Sequence, residues 1–207
     1  MISSVYIAKN VYGGDGIGRL GDGRVVFVPG AFAGEQVKAE IVAEKRGYVR
    51  ARLVSVEDPS PERISYGSLP VPGMVYANLS LKGELEAKRS QLAEAFERAR
   101  IPFGKISFGG VEGQSLNYRN KVSYHFQCER GVLRMGYHRE SMHEIVDIES
   151  DPLARAEINA KLPGIRRDVQ ALLTQGSRQV RESVERKASV TVKIGRASCR
   201  ERVFMMV

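Results

Sequence analysis

The sequence predicts a β-rich α+β protein in which a small closed barrel precedes an α+β domain with an antiparallel sheet. Two changes in residue pattern support this prediction. Up to residue 56, short β-type runs alternate with glycine-rich turns, and no helical period separates them. From Ser80 the apolar residues recur with a helical period, and from Tyr118 they return to the alternation of a half-buried strand.

Residues 1–58 are predicted to form the barrel. Strands are expected over Val5–Val11, Arg24–Val28, Gln36–Ala43 and Gly47–Val56, with turns at Pro29-Gly30 and Ala33-Gly34. The stretch Gly13–Glu35 is dense in glycine, which permits positive φ and close backbone approach. Strands at this density favour a five-stranded barrel of the oligonucleotide/oligosaccharide-binding (OB) type. Pro59 and Pro61 end the barrel, because closely spaced prolines do not fit a central strand.

Residues 59–78 form a predicted linker rich in Pro, Gly and Ser, and residues 79–193 form the predicted second domain. That domain begins with a helix that is capped by Ser80 and ends before Pro102. Its expected apolar face contains Leu81, Leu85, Leu92, Phe96 and Ala99.

An antiparallel meander is expected next, because Val122, Tyr124 and Phe126 alternate with polar residues. Its further strands are predicted over Val132–His138 and His143–Ile148. One helix should start at Pro152 and carry Leu153, Ile158 and Leu162; a second should start at Pro163 and bury Ile165, Val169, Leu172 and Leu173. Residues 177–193 are expected to hold two more strands.

Composition limits the class of protein. A net charge of +8 favours polyanionic partners, chiefly nucleic acid or an anionic membrane surface. The chain has no apolar run long enough to span a membrane and no secretory signal pattern, so no membrane partner is expected. Cys128 and Cys199 give neither a disulfide framework nor metal-ligand spacing. These features together predict a cytoplasmic protein.

No complete active site is predicted. His125, His138 and His143 lack the spacing of a zinc site. The glycines of Gly13–Gly18 are spaced loosely like those of a dinucleotide-binding loop, but they do not lie at a strand-to-helix turn. Cys128 lies at a strand end with no obvious base nearby. The residues alone therefore indicate a basic, two-domain, β-rich protein, for which RNA binding is an open alternative.

The most suggestive surface group of the barrel consists of Lys45, Arg46, Tyr48, Arg50 and Arg52. The last three alternate, so on a strand they share one face. Basic side chains can pair with phosphates, and a neighbouring aromatic ring can stack on an unpaired base. The alternative, left open by composition, is a solvated barrel exterior on which Tyr48 is a packing residue.

Two sets of motifs resemble known families. The spacing GGDGIGR…GDGRVVFVPG…GE within Gly13–Glu35 resembles the TRAM domain, a small RNA-binding barrel. Leu116–Lys121, Met135–Glu140, His143–Glu149 and Pro152-Leu153 follow in the order typical of the central domain of the RNA uracil-5-methyltransferases, which make 5-methyluridine in ribosomal and transfer RNA. The resemblance covers about residues 5–175. It implies a parent enzyme that uses S-adenosyl-L-methionine and acts as a monomer on structured rRNA or tRNA.

The sequence departs from the family pattern at its metal site. Many members carry an iron–sulfur cluster on four cysteines, and alignment by neighbouring motifs puts Ser65, Val71, Met74 and Asp151 at those positions. Because cluster ligation needs thiolates, no iron–sulfur cluster is predicted.

A second departure concerns catalysis. The resemblance implies a C-terminal Rossmann-like domain with the methyl-donor site, the catalytic cysteine and a base, but nothing after residue 175 matches it. The decapeptide Ile194–Val203 is interpreted as a translated sequencing adapter, so residues 194–207 are expected to be an artefact and the second domain incomplete. The chain is therefore expected to be a fragment that binds RNA, with no catalytic, cofactor-binding or metal residues.

Given this resemblance, RNA contacts are assigned in both domains. The barrel contributes Arg19, Lys45, Arg46, Arg50 and Arg52 to phosphates and Tyr48 to stacking, and the central domain contributes Arg119, Lys121, His138 and Arg139. Each basic residue has the alternative of a solvated surface charge. The competing function is a stand-alone TRAM-type RNA-binding module without enzymatic activity, and a third is a protein-interaction adaptor.

Overall fold

The computed structural model describes residues 1–67, 71–109, 116–129, 131–138, 144–179, 181–182 and 188–193, and the backbone of 202–206. The described residues fall into two compact units. The first comprises Met1–Pro70 and Met74–Val111, and the second comprises Val71–Gly73 and Glu112–Val207. Among the described residues, no helix combines the length and the apolar character needed to cross a membrane.

The first unit is built on a closed five-stranded barrel, which confirms the predicted architecture. Its strands are β1 (Ile2–Asn10), β2 (Gly16–Arg19), β3 (Val25–Val28), β4 (Gln36–Lys45) and β5 (Tyr48–Asp58). They close in the order β1-β2-β3-β5-β4; only the β3–β5 pair is parallel. Strand β2 lies inside the glycine-rich stretch, where the residue pattern did not distinguish a strand from a turn.

Alternation along the strands divides the barrel into a core and an outer face. The core is formed by small and β-branched side chains from β1, β3, β4 and β5, including Val5, Ile7, Val26, Val28, Val37, Ala39, Val49 and Ala51. Strands β1 and β2 approach closely at Gly18. A Cβ atom at this position would lie 2.3 Å from the carbonyl oxygen of Tyr6 and 2.6 Å from Cγ1 of Val5, so only glycine fits without rearrangement.

A buried ion pair joins the loop before β4 to the chain that follows β5. The Glu35 carboxylate is fully buried and accepts hydrogen bonds from the N–H groups of Phe32 (2.8 Å) and Ser60 (3.2 Å). Arg63 donates to it through Nε (2.5 Å) and Nη2 (2.8 Å), and Nη2 also donates to the Gly30 carbonyl. Burial alone would raise the pKa of Glu35, but these donors outweigh it and hold the pKa below its usual value.

Helix α1 (Leu81–Arg98) also belongs to the first unit. The predicted N-cap is confirmed, because the Ser80 hydroxyl accepts a hydrogen bond from the N–H of Gly83 at 3.1 Å. The predicted apolar face is wrong in part: Leu92 is 43% exposed and Ala99 is exposed. Gly83 is the one fully buried residue of this helix.

Polar contacts explain why the helix turns a different face inward. Gln91 Nε2 donates to the carbonyl of Val11 at 3.1 Å and to the hydroxyl of Tyr76 at 2.7 Å. Glu94 pairs with Lys9 of β1 at 2.6 Å. The orientation of α1 is therefore held by hydrogen bonds to the β1–β2 region, which an apolar periodicity does not reveal.

The second unit contains a five-stranded antiparallel sheet in the order β10-β9-β6-β7-β8. These strands are β6 (Lys121–Glu129), β7 (Val132–His138), β8 (Ile145–Asp147), β9 (Ser189–Lys193) and β10 (Arg202–Met206). Val122, Tyr124 and Phe126 are buried, as their alternation predicts. Of the two strands expected in residues 177–193, the described residues show one, β9, while residues 178–179 and 181–182 are helical. Residues 194–207 are predicted to derive from a sequencing adapter. The pairing of residues 202–206 with β9 does not test where these residues come from.

Helices α2 (Ala156–Asn159) and α3 (Leu162–Gln175) lie between strands β8 and β9 along the chain. Pro163 lies in the first turn of α3, which buries Ile165, Val169 and Leu173 as predicted, while Leu172 is half-buried. The helix expected from Pro152 is wrong. Pro152 and Leu153 form a turn instead, because the Asp151 carboxylate accepts the N–H of Leu153 at 2.9 Å and holds the chain out of the helical path.

We expect Glu35→Gln to lower the free energy of unfolding by about 3 kcal/mol at pH 7, because Arg63 would keep a largely buried charge without its partner. Folding lowers the pKa of Glu35. The carboxylate therefore contributes to the free energy of unfolding above the pKa of the unfolded chain, near 4.5, and this contribution is lost as the pH falls through the lower pKa of the folded chain. Urea unfolding from pH 7 to pH 3 should therefore show the two proteins converging in acid.

The matched control is Glu44→Gln, which removes an exposed carboxylate paired with Arg24 on the same barrel. This variant should unfold within about 0.5 kcal/mol of the unmodified chain. A pH-independent deficit for Glu35→Gln would contradict the ion-pair account.

We expect Gly18→Ala to destabilise the barrel by about 1–3 kcal/mol, since the added Cβ would meet backbone and side chain of β1. Gly21→Ala is the control, because a Cβ at Gly21 meets no atom within 4 Å. Thermal unfolding of both variants checks this expectation. Equal melting temperatures for the two would show that β1 can move away from Gly18 at no cost.

Candidate nucleic-acid interface

One row of outward-facing residues crosses four strands of the barrel. Arg19 of β2 is the register partner of Val25 of β3, Val25 is the partner of Tyr48 of β5, and Tyr48 is the partner of Lys45 of β4. Adjacent strands lie about 5 Å apart, so these side chains follow one another closely across the surface. The barrel thus brings together an arginine from one hairpin and a lysine from another, with an aromatic ring between them.

A second row runs beside the first and supports it. Ile17 is the register partner of Phe27, which is in turn the partner of Arg50. The Phe27 and Tyr48 rings pack edge to face, with centroids 5.4 Å apart and planes at 82°. Tyr48 is 36% exposed, so its ring is a packing residue that also reaches the surface.

The predicted alternation along β5 is confirmed. Val49 and Ala51 point into the core, while Tyr48, Arg50 and Arg52 point outward. Their contact with RNA stays a prediction.

Carboxylate partners distinguish the basic residues of this face. Arg50 pairs with Asp15 at 3.1 Å, and Arg52 pairs with Glu40. These exposed pairs are weak, but each carboxylate cancels part of the positive potential of its arginine.

Three other cations of the barrel have no carboxylate partner among the described residues. Arg19 donates Nη1 to the carbonyl oxygen of Gly23 at 2.9 Å, so its guanidinium is oriented without being neutralised. Lys45 and Arg46 are exposed at the β4–β5 turn and make no ion pair with any described residue. Arg19, Lys45 and Arg46 therefore add more uncompensated positive charge to this surface than Arg50 and Arg52 do.

The candidate residues of the second unit lie in different surroundings. Lys121 is exposed at the start of β6, and His138 is exposed at the end of β7, with its ring centroid 4.4 Å from that of His125. Burial and the neighbouring His138 hold the pKa of His125 below its usual value. Arg119 is partly enclosed beside the Tyr118 ring at 5.9 Å. Arg139 lies outside the described residues.

A buried carboxylate was not recognised in the sequence as a structural centre. Asp151 has no exposed surface and accepts hydrogen bonds from the hydroxyls of Tyr124 at 3.0 Å and Tyr137 at 2.5 Å. Burial, aided by the Asp151 charge, raises the pKa of both tyrosines, which therefore remain donors over the physiological range. Its only available signal was a single acidic residue before Pro152-Leu153.

The residues aligned with the family's cluster ligands do not fit an iron–sulfur cluster. Asp151 is already engaged by two tyrosines and the N–H of Leu153, and Val71 is a buried apolar side chain. In the part of the chain that the structure describes, no group of three or more His, Cys, Asp or Glu side chains could hold a metal ion.

The glycine-rich segment does not fit a nucleotide cofactor such as S-adenosyl-L-methionine. Gly13–Gly18 forms the end of the β1–β2 turn and the start of β2, with Asn10 paired to Gly16 in an antiparallel hairpin, whereas a dinucleotide-binding loop joins a strand to a helix. Its glycines shape a hairpin: Gly14 has a φ of 95°, and its carbonyl accepts the side-chain amide of Asn10 at 3.1 Å.

Comparison with known proteins identifies the barrel and the relatives of the chain. The TRAM domain family matches residues 5–67. An uncharacterized RNA methyltransferase of Aquifex aeolicus is 34% identical over 171 residues, which are 77% of this chain and 37% of that protein. The 23S rRNA (uracil(1939)-C(5))-methyltransferase RlmD of Shewanella amazonensis is 32% identical over 135 residues, or 62% of this chain and 30% of that protein. The chain thus spans about a third of the length of the curated relatives it matches.

A solved structure agrees with the fold. The tRNA (uracil-54, C5)-methyltransferase of Pyrococcus abyssi, determined in complex with S-adenosyl-L-homocysteine, matches with a TM-score of 0.62 at 17% identity, over 97% of this chain and 44% of that one. The motif order, the TRAM match and these relatives agree, so the predicted resemblance is confirmed. The chain carries a TRAM domain at its N-terminus and, over the part of their length that it spans, resembles proteins named RNA methyltransferases, among them an RNA uracil-C5-methyltransferase.

Proposed function

We propose that this chain is the RNA-binding portion of a cytoplasmic, monomeric, S-adenosyl-L-methionine-dependent RNA (uracil-5-)-methyltransferase that acts on rRNA or tRNA. The observation that carries the proposal is the row Arg19, Val25, Tyr48 and Lys45 across the outer face of the barrel. It presents cations at both ends and an aromatic ring between them, which is the combination that phosphates and unpaired bases require.

Charge distribution supports this assignment. The net charge is +8, and three of the barrel cations on this face have no carboxylate partner among the described residues. A phosphate that approaches Lys45 and Arg46 displaces only water and counterions, whereas at Arg50 it competes with Asp15. We therefore rank Lys45, Arg46 and Arg19 above Arg50 and Arg52 as phosphate contacts.

The second unit is proposed to add contacts to the same RNA through Lys121, His138, Arg119 and Arg139. Lys121 and His138 are exposed on neighbouring strands β6 and β7, which lets them contact one stretch of backbone. Arg119 is less accessible, since its guanidinium lies beside Tyr118. Its proposed role is weaker for that reason.

We expect Lys45→Ala/Arg46→Ala to reduce the slope of log K against log salt for RNA binding by up to about one per residue. The reason is that RNA binding releases fewer counterions when the protein neutralises fewer phosphates. Arg50→Ala/Arg52→Ala should reduce the slope by no more than this and cost less affinity at low salt, because Asp15 and Glu40 already offset these cations. Fluorescence anisotropy with a labelled stem–loop RNA between about 50 and 200 mM salt measures both.

The matched control is Lys82→Ala/Lys105→Ala, which removes two exposed cations of the same unit outside the barrel. Its slope should equal that of the unmodified chain. Unchanged slopes for both barrel double variants would contradict the proposed interface.

We expect the 207-residue chain to bind RNA without methylating it. The physical reason is that Gly13–Gly18, the described segment whose glycines are spaced most like a nucleotide-binding loop, forms a hairpin that does not fit the methyl donor, whereas the barrel offers a basic outer face. Incubation with tritiated S-adenosyl-L-methionine and uridine-containing rRNA and tRNA transcripts should give no incorporation above background. A full-length uracil-C5-methyltransferase serves as the positive control, and incorporation by this chain would overturn the expectation.

A further inference from the structure

A groove on the barrel exterior adjoins the proposed phosphate row and shares Arg19 and Val25 with it. Its floor is apolar and is formed by Tyr6 and Ala8 of β1, Ile17 of β2 and Val25 of β3. Lys9 and Arg19 stand at its rim, and none of its lining residues is acidic. The groove therefore combines an apolar floor with a cationic edge.

Tyr6 is the unusual residue of this groove. It is 58% exposed, and its ring has no aromatic or cationic partner among the described residues. Tyr48, in contrast, rests against Phe27, and Tyr124 is fully buried. Ala8, two residues along the same strand, is too small to cover the ring from the side. One broad apolar ring is thus left open to solvent.

The two cations of the rim differ in availability. The Lys9 ammonium pairs with Glu94 of α1 at 2.6 Å, so its charge is largely offset. The Arg19 guanidinium donates one N–H to the Gly23 carbonyl and has no carboxylate partner among the described residues, so its remaining donors are available. An anionic group that occupies the groove would consequently be drawn to the Arg19 end.

The fold limits which ligand suits such a groove. The barrel is closed, so β1, β2 and β3 offer no free strand edge to which a peptide could add. An aromatic ring can stack on a base only when that base is unpaired, because bases inside a duplex already stack on each other. An apolar floor with one uncompensated arginine at its end matches a nucleotide, with its base on the floor and its phosphate at the rim.

We propose that this groove binds one unpaired nucleotide of single-stranded RNA, with the base stacked on Tyr6 over Ile17 and the phosphate held by Arg19. The inference rests on the proposed RNA-binding function and adds to it that the barrel selects unpaired over duplex RNA. Tyr6 supplies this selectivity, while Lys45 and Arg46 attract either form of RNA through charge alone.

The test uses the whole chain and two fluorescein-labelled RNAs, a single-stranded oligouridine of about twelve nucleotides and a blunt duplex of the same length. Tyr6→Ala should weaken binding of the single strand by about 10-fold and leave binding of the duplex within about 2-fold, as expected for the loss of one stacked base. Tyr6→Phe keeps the ring and should restore binding of the single strand.

Tyr12→Ala is the matched control, because Tyr12 is a 95% exposed tyrosine of the same unit that does not line the groove. It should bind both RNAs like the unmodified chain. Thermal unfolding of all variants separates loss of stacking from loss of folding, and since Tyr6 is largely exposed, Tyr6→Ala is expected to unfold near the unmodified chain.

Several outcomes would overturn the inference. If the unmodified chain binds RNA but Tyr6→Ala binds the single strand equally well, or loses single strand and duplex in parallel, the groove does not hold an unpaired base. If the unmodified chain binds neither RNA at low salt, the proposed function fails and the inference fails with it. Self-association that Tyr6→Ala abolishes, without RNA binding, would instead assign the groove to a second copy of this chain.

Discussion

The buried carboxylate of Glu35 is the interaction on which the first unit depends. It gathers the N–H groups of Phe32 and Ser60 and the guanidinium of Arg63, which come from either side of strands β4 and β5. The backbone of Arg63 also forms an isolated antiparallel β-bridge with that of Leu79, and the Ser80 N–H donates to the Glu62 carbonyl at 2.7 Å. The start of α1 is thereby tied to the barrel through one satisfied buried charge, whose removal would leave several donors unpaired.

The outer face of the barrel depends on how the five strands close. Once the barrel closes, residues far apart in the chain become neighbours across its strands, as Arg19, Tyr48 and Lys45 do. Closure also decides which cations are neutralised: Arg50 meets Asp15 from the β1–β2 turn, while Lys45 and Arg46 protrude at a hairpin. The same geometry leaves the Tyr6 ring uncovered beside Ile17. A weakly charged barrel can thus present a locally cationic surface with exposed aromatic area.

In the second unit a different buried carboxylate, that of Asp151, links separate elements of the chain. Asp151 is satisfied by two tyrosine hydroxyls and a backbone N–H, and Asn159 closes the turn through bonds to the Asp151 backbone at 2.7 and 2.9 Å. At Asp151, which the family resemblance aligns with a cluster-ligating cysteine, this chain has a hydrogen-bond acceptor that joins β6 and β7 to the turn before α2. Both carboxylate oxygens of Asp151 accept hydrogen bonds, so we assign this residue the structural role of fixing β6, β7 and the following turn relative to one another.

Local sequence patterns determined much of this protein. Alternation separated Val49 and Ala51 from Tyr48, Arg50 and Arg52, because strand period is a property of successive residues. Motif order revealed the family resemblance for the same reason, since it depends only on positions along the chain.

Tertiary structure alone decided which polar groups meet. The inward face of α1 follows Gln91 and Glu94 rather than Leu92, because their partners Val11 and Lys9 lie about 80 residues earlier. The pairing of Arg50 with Asp15 and the burial of Asp151 likewise depend on partners that no local period specifies. Apolar patterning sets which side of an element is buried by default, but hydrogen bonds between distant residues can override it, and those become visible only when the chain has folded.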